Sequence, residues 1–143
     1  MPRVDFYVLG DAGAQAQHRQ ACKLAEEAVD AGASVYIRTG SAAESQSLDD
    51  LLWTFSDRAF LPHEVATAGS PSHAKIAALI GTGPAPAGFR SLLINTSDEI
   101  PADAADFERI AEVVNADPGR KQQARDRFRQ YRERGWAPES HTV

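Results

Sequence analysis

The residues best suited to chemistry lie in one basic stretch near the C-terminus, Arg120 to Trp136. It contains six Arg and one Lys against Asp126 and Glu133, a balance of about +5. The whole chain carries −5, so the remainder sums to about −10. Guanidinium groups bind carboxylates through paired hydrogen bonds, and a local positive field on an acidic protein draws an anionic partner in a salt-sensitive way. Pro118-Gly119 precedes the stretch and Gly135 closes it, which predicts a helix. At 100° per residue, Ala124, Phe128, Tyr131 and Gly135 share one narrow sector. Lys121, Arg125, Arg129 and Arg132 fall in the sector beside it. The pattern is an apolar stripe flanked by a basic one. Two readings stand: an anion-binding surface, or a solvated helix whose arginine stems cover apolar surface.

Other candidate chemistry is thin. Gly10-x-x-Gly13 follows an apolar run and opens a helical pattern, but it lacks the first part of a dinucleotide fingerprint, and no phosphate loop with Gly-Lys-Ser/Thr occurs. His18, His63, His73 and His141 have no recurrent ligand spacing to one another, to cysteine or to carboxylates. No Gly-x-Ser-x-Gly elbow is present. No catalytic residue, cofactor or metal is therefore expected. Cys22 excludes an internal disulfide, suits a reducing cytosol and sits in a helical pattern as a small buried thiol. No window has the apolar length of a membrane span, and Met1-Pro2-Arg3-Val4-Asp5 lacks the form of a signal peptide. A cytoplasmic location follows as an expectation. A pI near 5.3 argues against a free-standing duplex DNA binder.

The elements that would position these residues can be read in order. At 143 residues the chain predicts one domain, 1–143, with a loose tail over 137–143. Val4–Leu9 reads as a central strand, Ala14–Ala31 as a helix capped by Gly32, and Ser34–Thr39 as a second strand. This is a βαβ unit with parallel strands. Ser41 and Glu44 have capping-box spacing before a second helix through Leu48, Leu51, Leu52 and Phe55. The following loop carries Trp53, Phe60, Pro62 and His63, with aromatics that serve either as core anchors or as a partner surface. Lys75–Ile80 and Phe89–Asn95 read as an antiparallel hairpin across a Gly/Pro-rich tip. Glu108–Val114 fits a helix by period and a strand by its Val113-Val114 end.

Taken together, three segments resemble the chi subunit family of bacterial DNA polymerase III. They are Phe6-Tyr7-Val8-Leu9; Leu52-Trp53 followed by Phe60-Leu61-Pro62-His63; and Glu112-Val113-Val114 with the basic-aromatic helix and Gly135-Trp136. The resemblance runs end to end. It implies an α/β fold, a Rossmann-like three-layer αβα sandwich with a mixed β-sheet and no bound nucleotide, and it makes 108–114 a strand. It implies a non-catalytic adaptor of the clamp-loader complex with two partners. One is the psi subunit, against Trp53, Phe60, Pro62 and His63. The other is the acidic C-terminal tail of single-stranded DNA-binding protein, against Lys121, Arg125, Phe128 and Arg129. Phe128 stands where the family can carry an aromatic with a hydroxyl. The competing readings are a degenerate or unrecognised nucleotide-binding enzyme on the same fold, and direct single-strand binding through Arg and aromatics.

Overall fold

The computed structural model describes residues 2–54, 63–65 and 77–143. Among these residues seven strands and three helices follow one another as β1 (Arg3–Val8), α1 (Ala14–Asp30), β2 (Val35–Arg38), α2 (Ala42–Thr54), β3 (His63–Val65), β4 (Ala78–Gly81), β5 (Leu92–Asn95), β6 (Arg109–Val114), α3 (Pro118–Glu133) and β7 (Glu139–Thr142). A short 3-10 turn, Ala104–Asp106, precedes β6. The strands form one sheet in the order β3-β4-β2-β5-β6-β1-β7. Helices sit on both faces, the layering of a Rossmann-like sandwich. No helix among the described residues is long and apolar enough to cross a membrane.

The sheet is buried on both sides because its central strands are apolar on both sides. Val35 and Ile37, Ala78 and Ile80, Leu92 and Ile94, Ala111 and Val113 enter one core with Ala21, Leu24, Ala25, Leu48 and Leu52 of α1 and α2. The alternate residues Tyr36, Leu79, Leu93, Ile110 and Val114 enter a second core with Phe89, Phe107, and Ala124 and Tyr131 of α3. Strand period two thus divides the apolar residues between two layers.

Three expectations change. Every pairing among the described strands is parallel, so the sheet is not mixed. The expected hairpin is absent because β2 lies between β4 and β5 and pairs with both. The Gly/Pro-rich connection is not a solvent tip: Ala85 and Phe89 are buried in the second core. Residues 137–143 are not a loose tail, since β7 pairs in parallel with β1 and Val143 N–H donates to Val8 O at 3.0 Å. The ambiguous segment 108–114 is strand β6, between β1 and β5.

Helix ends follow their capping residues. Gly32 (φ 89°) and Gly135 (φ 81°) take the left-handed conformation just past α1 and α3. After α3, Gly135 N–H donates to Arg132 O at 2.9 Å and Trp136 N–H to Tyr131 O at 3.1 Å, a Schellman closure. The Trp136 ring stacks on Tyr131 at 5.8 Å, its apolar counterpart. At the start of α2, Ser41 Oγ accepts from Glu44 N–H at 3.1 Å. The Glu44 carboxylate does not close the box; it accepts from Thr96 Oγ1 at 2.6 Å and so ties α2 to the end of β5.

Cys22 is fully buried in the first core, and burial pushes its thiol up to about 12. A thiol in that range stays protonated at neutral pH. A thiol-reactive dye added to the folded protein is therefore expected to label Cys22 only in denaturant; rapid labelling in buffer would contradict the buried placement.

Candidate partner-binding site

Helix α3 is the element that carries the site. Asp117 caps it, accepting from Arg120 N–H at 3.0 Å, and Pro118 occupies its first turn, where a missing N–H costs nothing. Ala124 and Tyr131 are buried against the sheet. Phe128 is half-buried, leaning on Phe6 of β1 with ring centroids 5.2 Å apart. The helix thus lies over β1 and β6 on its apolar stripe.

Beside that contact the surface opens into a pocket of about 330 Å³. Phe6, Val8, Val114, Ala124 and Phe128 supply apolar walls, Ser140 of β7 a small polar one, and Lys121 and Arg125 the cations. No ion pair to Lys121 or Arg125 occurs among the described residues. An apolar cavity with two uncommitted cations fits a ligand that ends in an apolar group and a carboxylate.

Of the four helix residues expected at a site, three meet in this pocket: Lys121, Arg125 and Phe128. Arg129 does not line it. Its guanidinium lies 3.4 Å from Asp126 and 3.9 Å from Glu133, along the outer face of the helix. Trp53, at the end of α2, is 58% exposed. Of its expected neighbours, His63 begins β3, while Phe60 and Pro62 lie outside the described residues.

One functional group was missed. Arg127 is not a solvated cation: it is 5% exposed and its Nε donates to Glu112 Oε1 at 3.1 Å. Glu112, on β6, has no solvent exposure. It also accepts from Tyr131 Oη at 2.7 Å and Asn95 Nδ2 at 3.0 Å. Arg127 Nη1 donates further to Asp98 O at 3.0 Å. Burial holds the Glu112 carboxyl above its ordinary range, against the pull of Arg127 and these hydrogen bonds. Burial and the Glu112 charge likewise raise the Tyr131 hydroxyl, which remains a donor. The network fixes α3 in rotation on the sheet and so aims Phe128 and Arg125 at the pocket. A signal existed: Arg127 and Tyr131 are one turn apart, about 40° on the wheel, so Arg127 lies beside the apolar sector.

Anions at helix N-termini are a hallmark of nucleotide sites on such folds. Here those positions hold the chain's own oxygens. Asp11 Oδ1 accepts from Gly13 N–H at 2.7 Å before α1, Ser41 serves α2 and Asp117 serves α3. A phosphate approaching α1 or α3 would meet a carboxylate.

Comparison with known proteins agrees over the full length. The model of the family "DNA polymerase III chi subunit, HolC" matches residues 1–139. The chain is 40% identical to DNA polymerase III subunit chi of Pseudomonas aeruginosa over 143 residues, covering 100% of this chain and 98% of the relative. It is 32% identical to the protein of the same name in Haemophilus influenzae over 133 residues, covering 92% and 90%. The corresponding figure for Escherichia coli is 26% over 140 residues, 95% of each chain. With its parallel sandwich, its basic-aromatic helix and this end-to-end match, the chain belongs to the DNA polymerase III chi subunit family, a component of bacterial DNA replication.

Proposed function

We propose that this chain is a non-catalytic adaptor of the polymerase III clamp loader, which captures the acidic C-terminal tail of single-stranded DNA-binding protein in the α3 pocket. The observation that carries the reading is the convergence of Lys121, Arg125 and Phe128 on one apolar cavity beside β1. The tail's terminal apolar side chain enters the cavity beside the Phe6–Phe128 contact, and its carboxylate takes hydrogen bonds from Arg125 and Lys121. Arg129 acts from the flank, on acidic residues further up the tail.

We propose a second surface, for the psi subunit, with Trp53, Phe60, Pro62 and His63 as its candidate residues. A large aromatic exposed to 58% at a helix end, as Trp53 is, supports it. Trp53→Ala is expected to leave the melting temperature within a few degrees and to weaken co-purification with psi. Co-purification equal to wild type would remove Trp53 from that interface.

The nucleotide-enzyme alternative is separated by a thermal-shift screen. Saturating acidic peptide ending in Phe is expected to raise Tm, because a ligand that binds only the folded state stabilises it. ATP and NAD are expected to leave it unchanged. Stabilisation by nucleotide and not by peptide would reverse the assignment.

A further inference from the structure

Strand β7 shows the peptide pocket one face and a latch the other. Its register on β1 sets Ser140 beside Phe6 and His141 beside Tyr7. Ser140 therefore lines the pocket together with Phe6 and Val8. On the opposite face His141 Nε2 lies 2.8 Å from Asp5 Oδ1, and the His141 ring stacks on Tyr7 with centroids 5.3 Å apart. Both groups that His141 touches are themselves held. Asp5 is fully buried, with Arg3 at 3.2 Å and Arg109 at 3.4 Å, and Arg109 donates to the Tyr7 hydroxyl at 2.6 Å.

Strand β7 has only four residues and, among the described residues, stands at the sheet edge with β1 as its sole ladder partner. Short edge strands of polar sequence open at low free-energy cost.

We infer that β7 is a latched wall of the peptide site: His141 is the positioning residue that keeps Ser140 at the pocket, and peptide binding and β7 docking stabilise each other. The inference rests on the tail-binding reading above. Its physical basis is linkage, since a ligand that touches the docked strand must favour docking by the same factor by which docking favours the ligand.

The test uses the full chain, as wild type, His141→Ala and Ser140→Trp, with an acidic peptide ending in Phe. Hydrogen exchange at the Val143 amide, which donates to Val8 O, reports β7 docking. In His141→Ala, Asp5 keeps both arginines, so the melting temperature should hold. The Val143 amide should lose about tenfold protection, and peptide affinity should fall about fivefold. Saturating peptide should raise Val143 protection in the wild type. Ser140→Trp keeps the latch but fills the cavity; Val143 should stay protected while affinity falls by roughly tenfold or more. Unchanged affinity in a His141→Ala protein that has lost Val143 protection would overturn the inference, as would wild-type affinity in Ser140→Trp. The first of these results leaves the tail-binding reading intact, whereas the second also removes this pocket as the tail's site. A wild type that binds no peptide overturns that reading and the inference with it.

Discussion

Glu112→Ala is expected to lower folding stability by about 3–5 kcal/mol, the scale for removing one partner of a buried ion pair. The substitution leaves Arg127, 5% exposed, with a backbone carbonyl as its remaining acceptor. It also strands the Tyr131 hydroxyl and removes one of two acceptors of the Asn95 amide, which keeps Glu99 O at 2.9 Å. Each buried donor left without a partner adds to the loss. Replacing both members by apolar residues of similar volume, Glu112→Leu with Arg127→Met, should recover the part of the loss that comes from the unpaired Arg127, because the pair itself contributes little net stability over a well-packed apolar substitute. What the pair does contribute is register, a single rotation of α3 on the sheet. Urea unfolding of the two single variants and the double variant gives the coupling directly. A Glu112→Ala loss below about 1 kcal/mol would mean that the network is not a closed buried unit.

Arg125→Ala is expected to weaken binding of an acidic tail peptide by about 1.5–3 kcal/mol, the value of a hydrogen bond to a charged group. Folding should be nearly unaffected, since Arg125 is exposed and makes no ion pair among the described residues. The loss should shrink as salt rises, because part of it is long-range attraction. Phe128→Ala should also weaken binding, with a salt dependence close to that of the wild type. Its share is contact area in the cavity, although some stability is lost where its ring leans on Phe6. Two variants on one helix, one with reduced and one with wild-type salt dependence, separate charge from contact. Arg129→Ala should have the smaller effect of the two arginines, since Asp126 and Glu133 already hold that guanidinium. An equal or larger effect at Arg129 would shift the carboxylate site outward along the helix.

Much of the fold is written in local pattern. The βαβ opening, the glycines closing α1 and α3 and the Ser41 cap depend on neighbouring residues and stand where periodicity and capping chemistry put them. The failures are all non-local. Whether Ala78–Gly81 pairs with Leu92–Asn95 depends on where β2 lies, and nothing between the two strands records that. The continuous apolar runs Leu79-Ile80 and Leu92-Leu93-Ile94 did carry the parallel signal, since strands buried on both faces lose their alternation. Strand β7 was illegible because Glu139-Ser140-His141-Thr142 is polar and gains its place through Asp5 and Tyr7, more than 130 residues away. For 108–114 the period fits a helix and the Val113-Val114 end fits a strand, and the family likeness favours the strand that forms.

The site was legible in part for the same reason. Lys121, Arg125 and Phe128 are one face of one helix, and a helical wheel finds them. The other walls of the pocket, Phe6, Val8, Val114 and Ser140, come from three strands and needed the sheet order. Net charge counted Arg127 with the solvated arginines, whereas it is neutralised inside the molecule by Glu112. The field that a partner meets is therefore weaker than composition suggests.

The most direct test of the adaptor reading is a titration of the unmodified chain with the last residues of the host's own single-stranded DNA-binding protein, as the free acid and as the C-terminal amide. The account predicts saturable, salt-sensitive binding of the free acid and an affinity at least about tenfold lower for the amide, which removes the charge that Arg125 and Lys121 bind. Equal affinity for the two peptides, or no binding of the free acid at low salt, would contradict it.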